Sequence, residues 1–323
     1  MKNIIVTGAT GFIGKALVRR LEKIVGDEGQ VISIGSSTVD LAHRGGTFDW
    51  FDKLHWAFDC DHIFHLAALY KAGGWPVEHP ATQFHVNMSI NVNVLEAWKR
   101  FFPQAKLTSV LSYCMYPPHD HPHPETELWG TEPEDYLFSY AFTKKAMLIG
   151  QRAYRQEYGL KCTSAILPTV YGPGDSFAEN SHVMGALIGK FVRAAQLGKE
   201  TVEVWGEGNQ EREFLYVEDA VDGIITTGEK SQIDVVNLGL GEAYTIRKIS
   251  EIIQKASGFN GKIQYNPTQF VGVLKRLLDV SLVRQEIGWS AATSIEQGIY
   301  DTVRWYQTQL EQQTISATAS ISK

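Results

Sequence analysis

Short apolar strands alternate with helical segments through the first half of the 323-residue chain, and this alternation restricts the fold more than any other feature. The apolar runs are unbroken, which is typical of strands that are covered on both faces. Alternation of this kind predicts a parallel sheet with helices on both sides. The sequence predicts strands at Asn3–Thr7, Val31–Ile34, Ile63–Leu66, Leu107–Leu111 and Thr163–Ile166, with helices at Gly14–Val25, Ser89–Phe101 and Tyr140–Tyr158.

Three glycines follow the first predicted strand in the segment Thr7–Gly14, which reads TGATGFIG. Glycines at this spacing allow a tight turn and a close approach of the backbone to a pyrophosphate, and the helix that follows offers free N–H groups to the anion. Glycines at such a spacing also occur in tight turns that bind nothing. The position of this motif, between a strand and a helix at the start of an α/β pattern, predicts a dinucleotide-binding turn.

These features together predict an α/β fold, a Rossmann-type doubly wound parallel sheet with a smaller C-terminal α/β substrate lobe. The pattern loosens after Tyr171, with helices predicted near Val183–Leu197 and Arg247–Ser257, and a strand at Val235–Leu240 is expected to return to the main sheet. We predict a dinucleotide-binding domain over residues 1–170 and about 214–242, a substrate-binding lobe over 171–213 and 243–310, and a flexible tail over 311–323.

The residues after the second predicted strand bear on the choice of dinucleotide. NAD enzymes usually carry Asp or Glu there to bind the ribose hydroxyls, but this chain has Ser36 and Ser37 and no acid before Asp40. Hydroxyl groups without a neighbouring carboxylate can accept the 2′-phosphate of NADP, and Arg44 is close by in the sequence. We therefore predict NADP as the cofactor, with NAD as the alternative.

Tyr140 and Lys144 lie four residues apart and would share one face of a helix. An ammonium group beside a phenol favours the phenolate, so we expect Lys144 to lower the pKa of Tyr140 toward neutrality. Such a tyrosine can exchange a proton with a carbonyl or an alcohol. Ser112 ends the fourth predicted strand, where its hydroxyl can hydrogen-bond a substrate oxygen. A plain surface helix is the alternative for the Tyr–Lys pair, but the glycine turn favours catalysis.

Composition excludes several classes of function. The chain has 30 Lys and Arg against 36 Asp and Glu and no basic run, so we expect no nucleic-acid and no membrane partner. Three scattered cysteines and an N-terminus without a cleavage signal predict a reduced protein of the cytoplasm. Three histidines alternate in Pro117–Pro124, PPHDHPHP. We interpret this segment as a solvated, proline-stiffened loop, and we predict no metal site, because an unanchored loop lacks fixed ligand geometry.

The TGATGFIG turn, HLAA at His65–Ala68, Ser112, and the pair of Tyr140 and Lys144 together resemble the extended short-chain dehydrogenase/reductase superfamily. The resemblance narrows to the GDP-L-fucose synthase family in four segments, which are Leu111–Pro117 (LSYCMYP), Glu179–Phe191, Val204–Asp219 and Lys275–Trp289. This resemblance implies that a GDP-4-keto-6-deoxymannose is epimerised at the two carbons that flank its ketone, and that NADPH then reduces the ketone.

The resemblance also implies that Cys114 and His182 are the acid and base of the epimerisation. Inverting a carbon requires removal of a proton on one face and delivery on the other, so two titratable groups are needed. Tyr140 and Ser112 could stabilise the enolate oxygen. The alternative is a small core residue at position 114 and a structural histidine at 182, but their joint occurrence in matching segments favours catalysis.

The motifs and the resemblance together define the candidate site. The catalytic candidates are Ser112, Cys114, Tyr140, Lys144 and His182. The cofactor-binding candidates are Gly8, Thr10, Gly11, Phe12, Ile13, Gly14, Ser36, Ser37, Asp40, Leu41, Leu66, Ala67, Ala68, Leu111, Tyr140, Lys144, Leu167, Val170 and His182. The substrate-binding candidates are Ser112, Tyr113, Lys190, Trp205, Arg212, Lys275 and Arg276.

The resemblance implies a small-molecule nucleotide-sugar substrate and a homodimer. Three alternatives for the function remain at this point. They are an NAD-dependent sugar-nucleotide 4-epimerase, a 4-ketoreductase without epimerase activity, and a catalytically silent dinucleotide-binding sensor. The glycine pair that follows HLAA in the family is displaced in this chain, where Tyr70 and Lys71 are inserted.

Overall fold

The centre of the computed structural model, which describes residues 1–130, 132, 135–268 and 274–321, is a parallel β-sheet. The strands are β1 Asn3–Thr7, β2 Gln30–Ile34, β3 His62–His65, β4 Lys106–Ser112, β5 Cys162–Leu167, β6 Thr169–Tyr171, β7 Thr201–Trp205, β8 Glu211–Arg212, β9 Phe214–Tyr216, β10 Val235–Asn237, β11 Tyr244–Thr245, β12 Lys262–Asn266 and β13 Lys275–Arg276. The helices are α1 Phe12–Val25, α2 Arg44–His55, α3 Trp75–Glu78, α4 Pro80–Phe101, α5 Phe138–Tyr158, α6 Val183–Gln196, α7 Val217–Lys230, α8 Ile246–Ser257, α9 Ser281–Ile287 and α10 Ile295–Ile321.

Six strands form the main sheet in the order β10-β5-β4-β3-β1-β2, and all neighbours are parallel. This order confirms the Rossmann-type doubly wound fold. The chain crosses from β2, on one side of β1, to β3 on the other side, so the strand order reverses between β1 and β3. Ligands of such sheets bind at the carboxyl ends of the strands beside this reversal. Both the glycine turn after β1 and the HLAA segment after β3 lie at that edge.

Apolar strands fill the main core because helices cover both faces of the sheet. Ile4, Ile5 and Val6 of β1 are fully buried, which explains the unbroken apolar run. A second apolar core lies between α6, α8 and α10 and contains the fully buried Phe191 and Ile299. The two cores are compatible with the domain division made from the sequence, which stays a prediction. Within the described ranges, no helix is long and apolar enough to cross a bilayer.

Three helical regions differ from the sequence prediction. Helix α2 was missed, because Gly45 and Gly46 in its first turn weaken the helical pattern. Helix α4 begins at Pro80 rather than Ser89, since proline is favourable in a first turn. The third region is the segment predicted as a flexible tail, where α10 continues as a helix to Ile321. The chain has no glycine or proline after Gly298 that would end the helix, and residues 322–323 lie outside the described ranges.

The histidine-bearing loop after β4 is hydrogen-bonded to distant segments of the chain. Its interpretation as an unanchored loop was therefore wrong. The His123 N–H donates to the Leu277 carbonyl at 3.0 Å, and the Asp279 N–H donates to the His123 carbonyl at 3.0 Å. The Asn237 side chain also donates to the His123 carbonyl, at 2.9 Å. His123 itself is buried. Contacts with residues more than a hundred positions away cannot be inferred from local sequence.

Candidate active site

A cavity of about 480 Å³ lies at the carboxyl ends of the central strands, within the size range of small-molecule sites. All five catalytic candidates line it, together with most of the cofactor candidates and some of the substrate candidates. The lining candidates are Gly8, Gly11, Phe12, Ile13, Gly14, Leu66, Ala68, Leu111, Ser112, Tyr113, Cys114, Tyr140, Lys144, Leu167, Val170, His182, Arg212 and Arg276.

The glycine turn forms one wall of this cavity, and its three glycines have different roles. Gly8 has a φ of 71°, and a Cβ there would lie 2.7 Å from the Ala67 nitrogen. A Cβ on Gly14 would collide with the Gly8 carbonyl oxygen. A Cβ on Gly11 would meet only that oxygen, at 3.3 Å, and no side chain caps the helix that begins there. The turn therefore leaves backbone N–H groups of α1 open toward the cavity, which fits a pyrophosphate.

Buried asparagine side chains on α4 hold the segments around the cavity. Asn87 accepts from the Leu69 N–H at 2.7 Å and donates to the Leu69 carbonyl at 3.0 Å, so it holds the chain just before Tyr70. Asn91 donates to the Thr143 carbonyl at 2.9 Å in the first turns of α5. Because α5 carries Tyr140 and Lys144, this contact places the catalytic turn of the helix against α4.

Tyr140 and Lys144 lie together, but burial dominates their ionisation. The Lys144 ammonium donates to the Val110 carbonyl at 2.9 Å and lies 5.5 Å from the centre of the Tyr140 ring. Burial raises the pKa of the Tyr140 phenol well above its usual value and lowers the pKa of Lys144 to about 8. The expectation of a Tyr140 pKa near neutrality was therefore wrong, because desolvation exceeds the effect of the ammonium. A protonated phenol is the form that donates a proton to a ketone oxygen.

Cys114 and His182 approach the cavity from different elements. Cys114 is 2 % exposed, in the short helical turn after β4, and its N–H donates to Ser112 Oγ at 3.4 Å. His182 lies just before α6 and keeps solvent contact at the mouth of the cavity. Desolvation by the surrounding protein lowers the pKa of its imidazole. A neutral imidazole can accept a proton, which a base in this position requires.

Sequence reasoning missed Tyr70 as a member of this site. Its ring is parallel to the His182 imidazole at 5.3 Å and lies 4.8 Å from the Tyr140 ring, measured between ring centres. It also packs in one apolar cluster with Cys114. Tyr70 therefore joins three catalytic candidates that come from separate elements. The displaced glycine pair at Tyr70 and Lys71 was the signal that could have identified it. Further lining residues that were not among the candidates include Tyr136, Leu137, Asp175 and Val183.

Two guanidinium groups form the cationic end of the cavity. Arg212 on β8 and Arg276 on β13 are paired in register on adjacent parallel strands. The Arg276 guanidinium also lies 5.0 Å from the centre of the Tyr113 ring. Like charges on paired positions are unfavourable by themselves. Guanidinium groups bind phosphate oxygens through paired hydrogen bonds, so these two side chains at the cavity are candidates for binding a diphosphate.

Three substrate candidates lie away from the cavity. The Lys275 ammonium pairs with the Glu211 carboxylate at 2.9 Å, because side chains on a strand alternate and Arg276 takes the cavity side. Lys190 on α6 lies 5.3 Å from the ring centre of Trp205, and Trp205 is largely exposed. Six cofactor candidates also do not line the cavity, namely Thr10, Ser36, Ser37, Asp40, Leu41 and Ala67.

The fold and this cavity define an epimerase or dehydrogenase of the short-chain type, and the chain belongs to the NAD dependent epimerase/dehydratase family, whose model matches residues 4–239. Among its relatives, GDP-L-fucose synthase 1 of Arabidopsis thaliana is 32% identical over 308 residues, covering 94% of this chain and 92% of the relative. GDP-L-colitose synthase of Yersinia pseudotuberculosis is 30% identical over 308 residues, covering 94% and 97%. These homologues are oxidoreductase enzymes of nucleotide sugars.

Comparison with solved structures also finds similarity to GDP-L-fucose synthetases. A GDP-L-fucose synthetase from Naegleria fowleri superposes with a TM-score of 0.86 at 27% identity, covering 96% of this chain and 94% of that chain. A structure of a GDP-L-fucose synthetase from the same organism with NADP bound has a TM-score of 0.83 at 26% identity, covering 96% and 95%. The likeness extends over both lobes, since it covers nearly the whole chain.

Alanine substitutions in the turn should separate a packing glycine from a binding glycine. Gly14→Ala forces a backbone collision, so we expect the free energy of unfolding to fall by about 1–3 kcal/mol. Gly11→Ala should change it by less than about 0.5 kcal/mol, yet weaken NADPH binding, because the new methyl group occupies the path of the pyrophosphate. Urea unfolding and fluorescence titration measure the two effects. Equal stability loss in both variants would contradict this assignment.

Asp175 should make stability depend on pH. Its Oδ1 accepts from the Ser176 N–H at 2.7 Å, while its Oδ2 is buried and accepts no hydrogen bond from the described residues. Burial raises the pKa of this carboxyl to about 6. The pKa of Asp175 is higher in the folded protein than in the unfolded chain. Burying this carboxyl therefore does not lower the free energy of unfolding below about pH 4. The loss of stability develops as the pH rises from there and through about 6, where the buried group must ionise.

We therefore expect the free energy of unfolding of Asp175→Asn, measured with urea, to exceed that of the wild type by about 1 kcal/mol near pH 4.5 and by up to about 3 kcal/mol near pH 7.5. Asp40→Asn is the matched control, since the exposed Asp40 also accepts from a backbone N–H, that of Ala42. A constant difference at both pH values for Asp175→Asn would refute the assignment.

Proposed function

We propose that the protein is an NADP-dependent epimerase-reductase of a nucleotide-activated 4-keto-6-deoxy sugar, with GDP as the nucleotide. The observation that carries this proposal is the convergence of Tyr140, Cys114 and His182 around one cavity beside the glycine turn. The relatives named as GDP-L-fucose synthase and GDP-L-colitose synthase support the substrate class. A dinucleotide-binding sensor would have no need of two titratable groups opposite a catalytic tyrosine.

The epimerisation uses Cys114 and His182 as proton-exchanging groups. A ketone acidifies the hydrogens on its neighbouring carbons, so one group removes such a proton and the other returns a proton to the opposite face. While the carbon is deprotonated, negative charge develops on the ketone oxygen. Ser112 and Tyr140 donate hydrogen bonds to this oxygen and stabilise the charge. The neutral imidazole of His182 suits the accepting role.

The reduction uses Tyr140 as the acid. Bound NADPH supplies the hydride for the ketone carbon. Tyr140 transfers its phenolic proton to the ketone oxygen as that carbon is reduced, and its raised pKa keeps the proton available at neutral pH. Lys144, whose ammonium lies 5.5 Å from the centre of the Tyr140 ring, would stabilise the phenolate that remains, and we propose that it also binds the ribose of the cofactor. Arg212 and Arg276 bind the diphosphate of the sugar nucleotide.

The choice of NADP rests on the residues after β2. Ser36 and Ser37 are exposed there and carry no charge that would repel a 2′-phosphate. The relative from Naegleria fowleri with NADP bound supports the same choice. We also propose a cytoplasmic location, because Cys60, Cys114 and Cys162 are not joined in disulfides.

Two substitutions should separate the epimerisation from the reduction. Cys114→Ser should slow exchange of substrate α-protons with D₂O, observed by NMR, by about 100-fold or more, while reduction of a substrate that is already epimerised continues. Tyr140→Phe should slow NADPH oxidation by a similar factor, while NADPH binding persists. The two variants test the two halves of the proposal independently.

The outcomes also decide between the alternatives. Exchange that is undiminished in Cys114→Ser would return this thiol to a packing role and leave a 4-ketoreductase. Conversion of the sugar with no net change in cofactor would identify a 4-epimerase. Full activity in Tyr140→Phe would overturn the enzymatic assignment of this site.

We further propose a homodimer through α4 and α5. These helices pack against each other and expose apolar side chains on their outer faces, and Phe84 and Phe142 lie 5.9 Å apart between ring centres. Exposed apolar groups of this number on adjacent helices are unfavourable in water, so a second copy is the proposed cover. The exposed residues are Phe84, Val92, Phe138, Phe142 and Ile149.

A charge in this face should separate the subunits. We expect Phe142→Asp to halve the mass measured by analytical ultracentrifugation, because a carboxylate would have to be buried in an apolar interface. Trp56→Asp is the matched control, since Trp56 is 81 % exposed at the end of α2, outside this face. A wild-type protein that sediments as a monomer, or a Phe142→Asp variant that remains a dimer, would contradict the proposal.

A further inference from the structure

We propose that His121, His123 and Glu127 form a binding site for a divalent cation of the Zn²⁺ type, outside the catalytic cavity. One ligand atom of each residue lies within 4.8 Å of the others. His121 Nε2 is 2.8 Å from Glu127 Oε1, and His123 Nδ1 is 3.0 Å from Glu127 Oε2. Two imidazoles and one carboxylate are a common set of protein ligands for zinc.

The spacing of these atoms is close to that of a bound metal. Ligand atoms about 2.0–2.1 Å from a tetrahedral zinc are about 3.4 Å apart. The two nitrogen–oxygen distances, 2.8 and 3.0 Å, are shorter than this by about half an ångström. Side-chain rotations that lengthen these two contacts would be needed to admit the cation.

The backbone of His123 is held by hydrogen bonds to a distant segment, which helps to fix one ligand of the site. His123 is buried, and its ring is stacked 5.0 Å from the ring of Tyr116. Its N–H and carbonyl are both hydrogen-bonded to the segment that follows β13. Glu127 lies in a short 3₁₀ helix, residues 125–129, four positions further along. The cluster therefore combines one fixed imidazole with a carboxylate held on a helical turn.

The donor types also indicate the class of cation. Imidazole nitrogen prefers Zn²⁺, Ni²⁺ and Cu²⁺ over Mg²⁺ and Ca²⁺. His119, whose ring centre is 5.3 Å from that of His121, is a further imidazole beside the cluster.

The position of this site indicates what a bound cation would do. The loop that carries His121 follows the segment of Ser112 and Cys114, while His123 is bridged to Leu278, two residues after Arg276. A bound cation would give the loop one more point of attachment. It would thereby stabilise both walls at the substrate end of the cavity. Binding of the cation does not depend on the proposed reaction, so the two can fail separately.

A metal titration of tag-free, chelator-treated protein tests the proposal. Competition with a chromophoric chelator should reveal one saturable Zn²⁺ site in each chain, and Zn²⁺ should raise the thermal midpoint. His121→Asn and Glu127→Gln should each weaken the affinity by at least about tenfold and remove the thermal shift. Both side chains keep solvent contact, so the variants are expected to fold.

His79→Asn provides the matched control, because it removes an exposed imidazole that lies outside the cluster. Its Zn²⁺ affinity should equal that of the wild type. Absorption bands of tetrahedral Co²⁺ should appear in the wild type and in His79→Asn, and disappear in His121→Asn. Absence of saturable binding in the wild type, or the same affinity in wild type and His121→Asn, would overturn the proposal.

Discussion

The close packing of α1 against the end of β1 is the constraint on which the rest of the site depends. No side chain can be accommodated at Gly14, because its Cβ would collide with the Gly8 carbonyl. The helix can therefore begin directly at the edge of the sheet, with its uncapped N–H groups facing the cavity. The turn fixes one wall of the cavity, and the side chains at the ends of β3, β4 and β5 take their positions opposite it.

Burial then decides how the catalytic groups ionise. Desolvation favours the neutral form of each group, so the pKa of Tyr140 is raised and the pKa values of Lys144 and His182 are lowered. A neutral phenol is a proton donor and a neutral imidazole is a proton acceptor. Desolvation therefore favours a proton donor at Tyr140 and a proton acceptor at His182.

The second lobe adds what the sheet cannot supply. Short strands such as β8 and β13 bring Arg212 and Arg276 side by side, and the start of α6 brings His182 against Tyr70. The edge of the main sheet and α5 contribute the glycine-lined part of the cavity and the Lys144 ammonium, whereas β8 and β13 contribute the two guanidinium groups. Under the proposed function, the dinucleotide binds at the glycine turn and the diphosphate of the sugar nucleotide binds beside these guanidinium groups.

The sequence by itself determined the doubly wound sheet, the glycine turn and most of the residues that line the cavity, because apolar periodicity and short motifs report local structure. It did not reveal Tyr70 as a site residue, the anchoring of His123, or the side of β13 on which Lys275 and Arg276 point. The sequence also did not reveal that the pKa of Tyr140 is raised rather than lowered. Each of these depends on which distant segments pack together and how much water they exclude, and only the tertiary structure decides that.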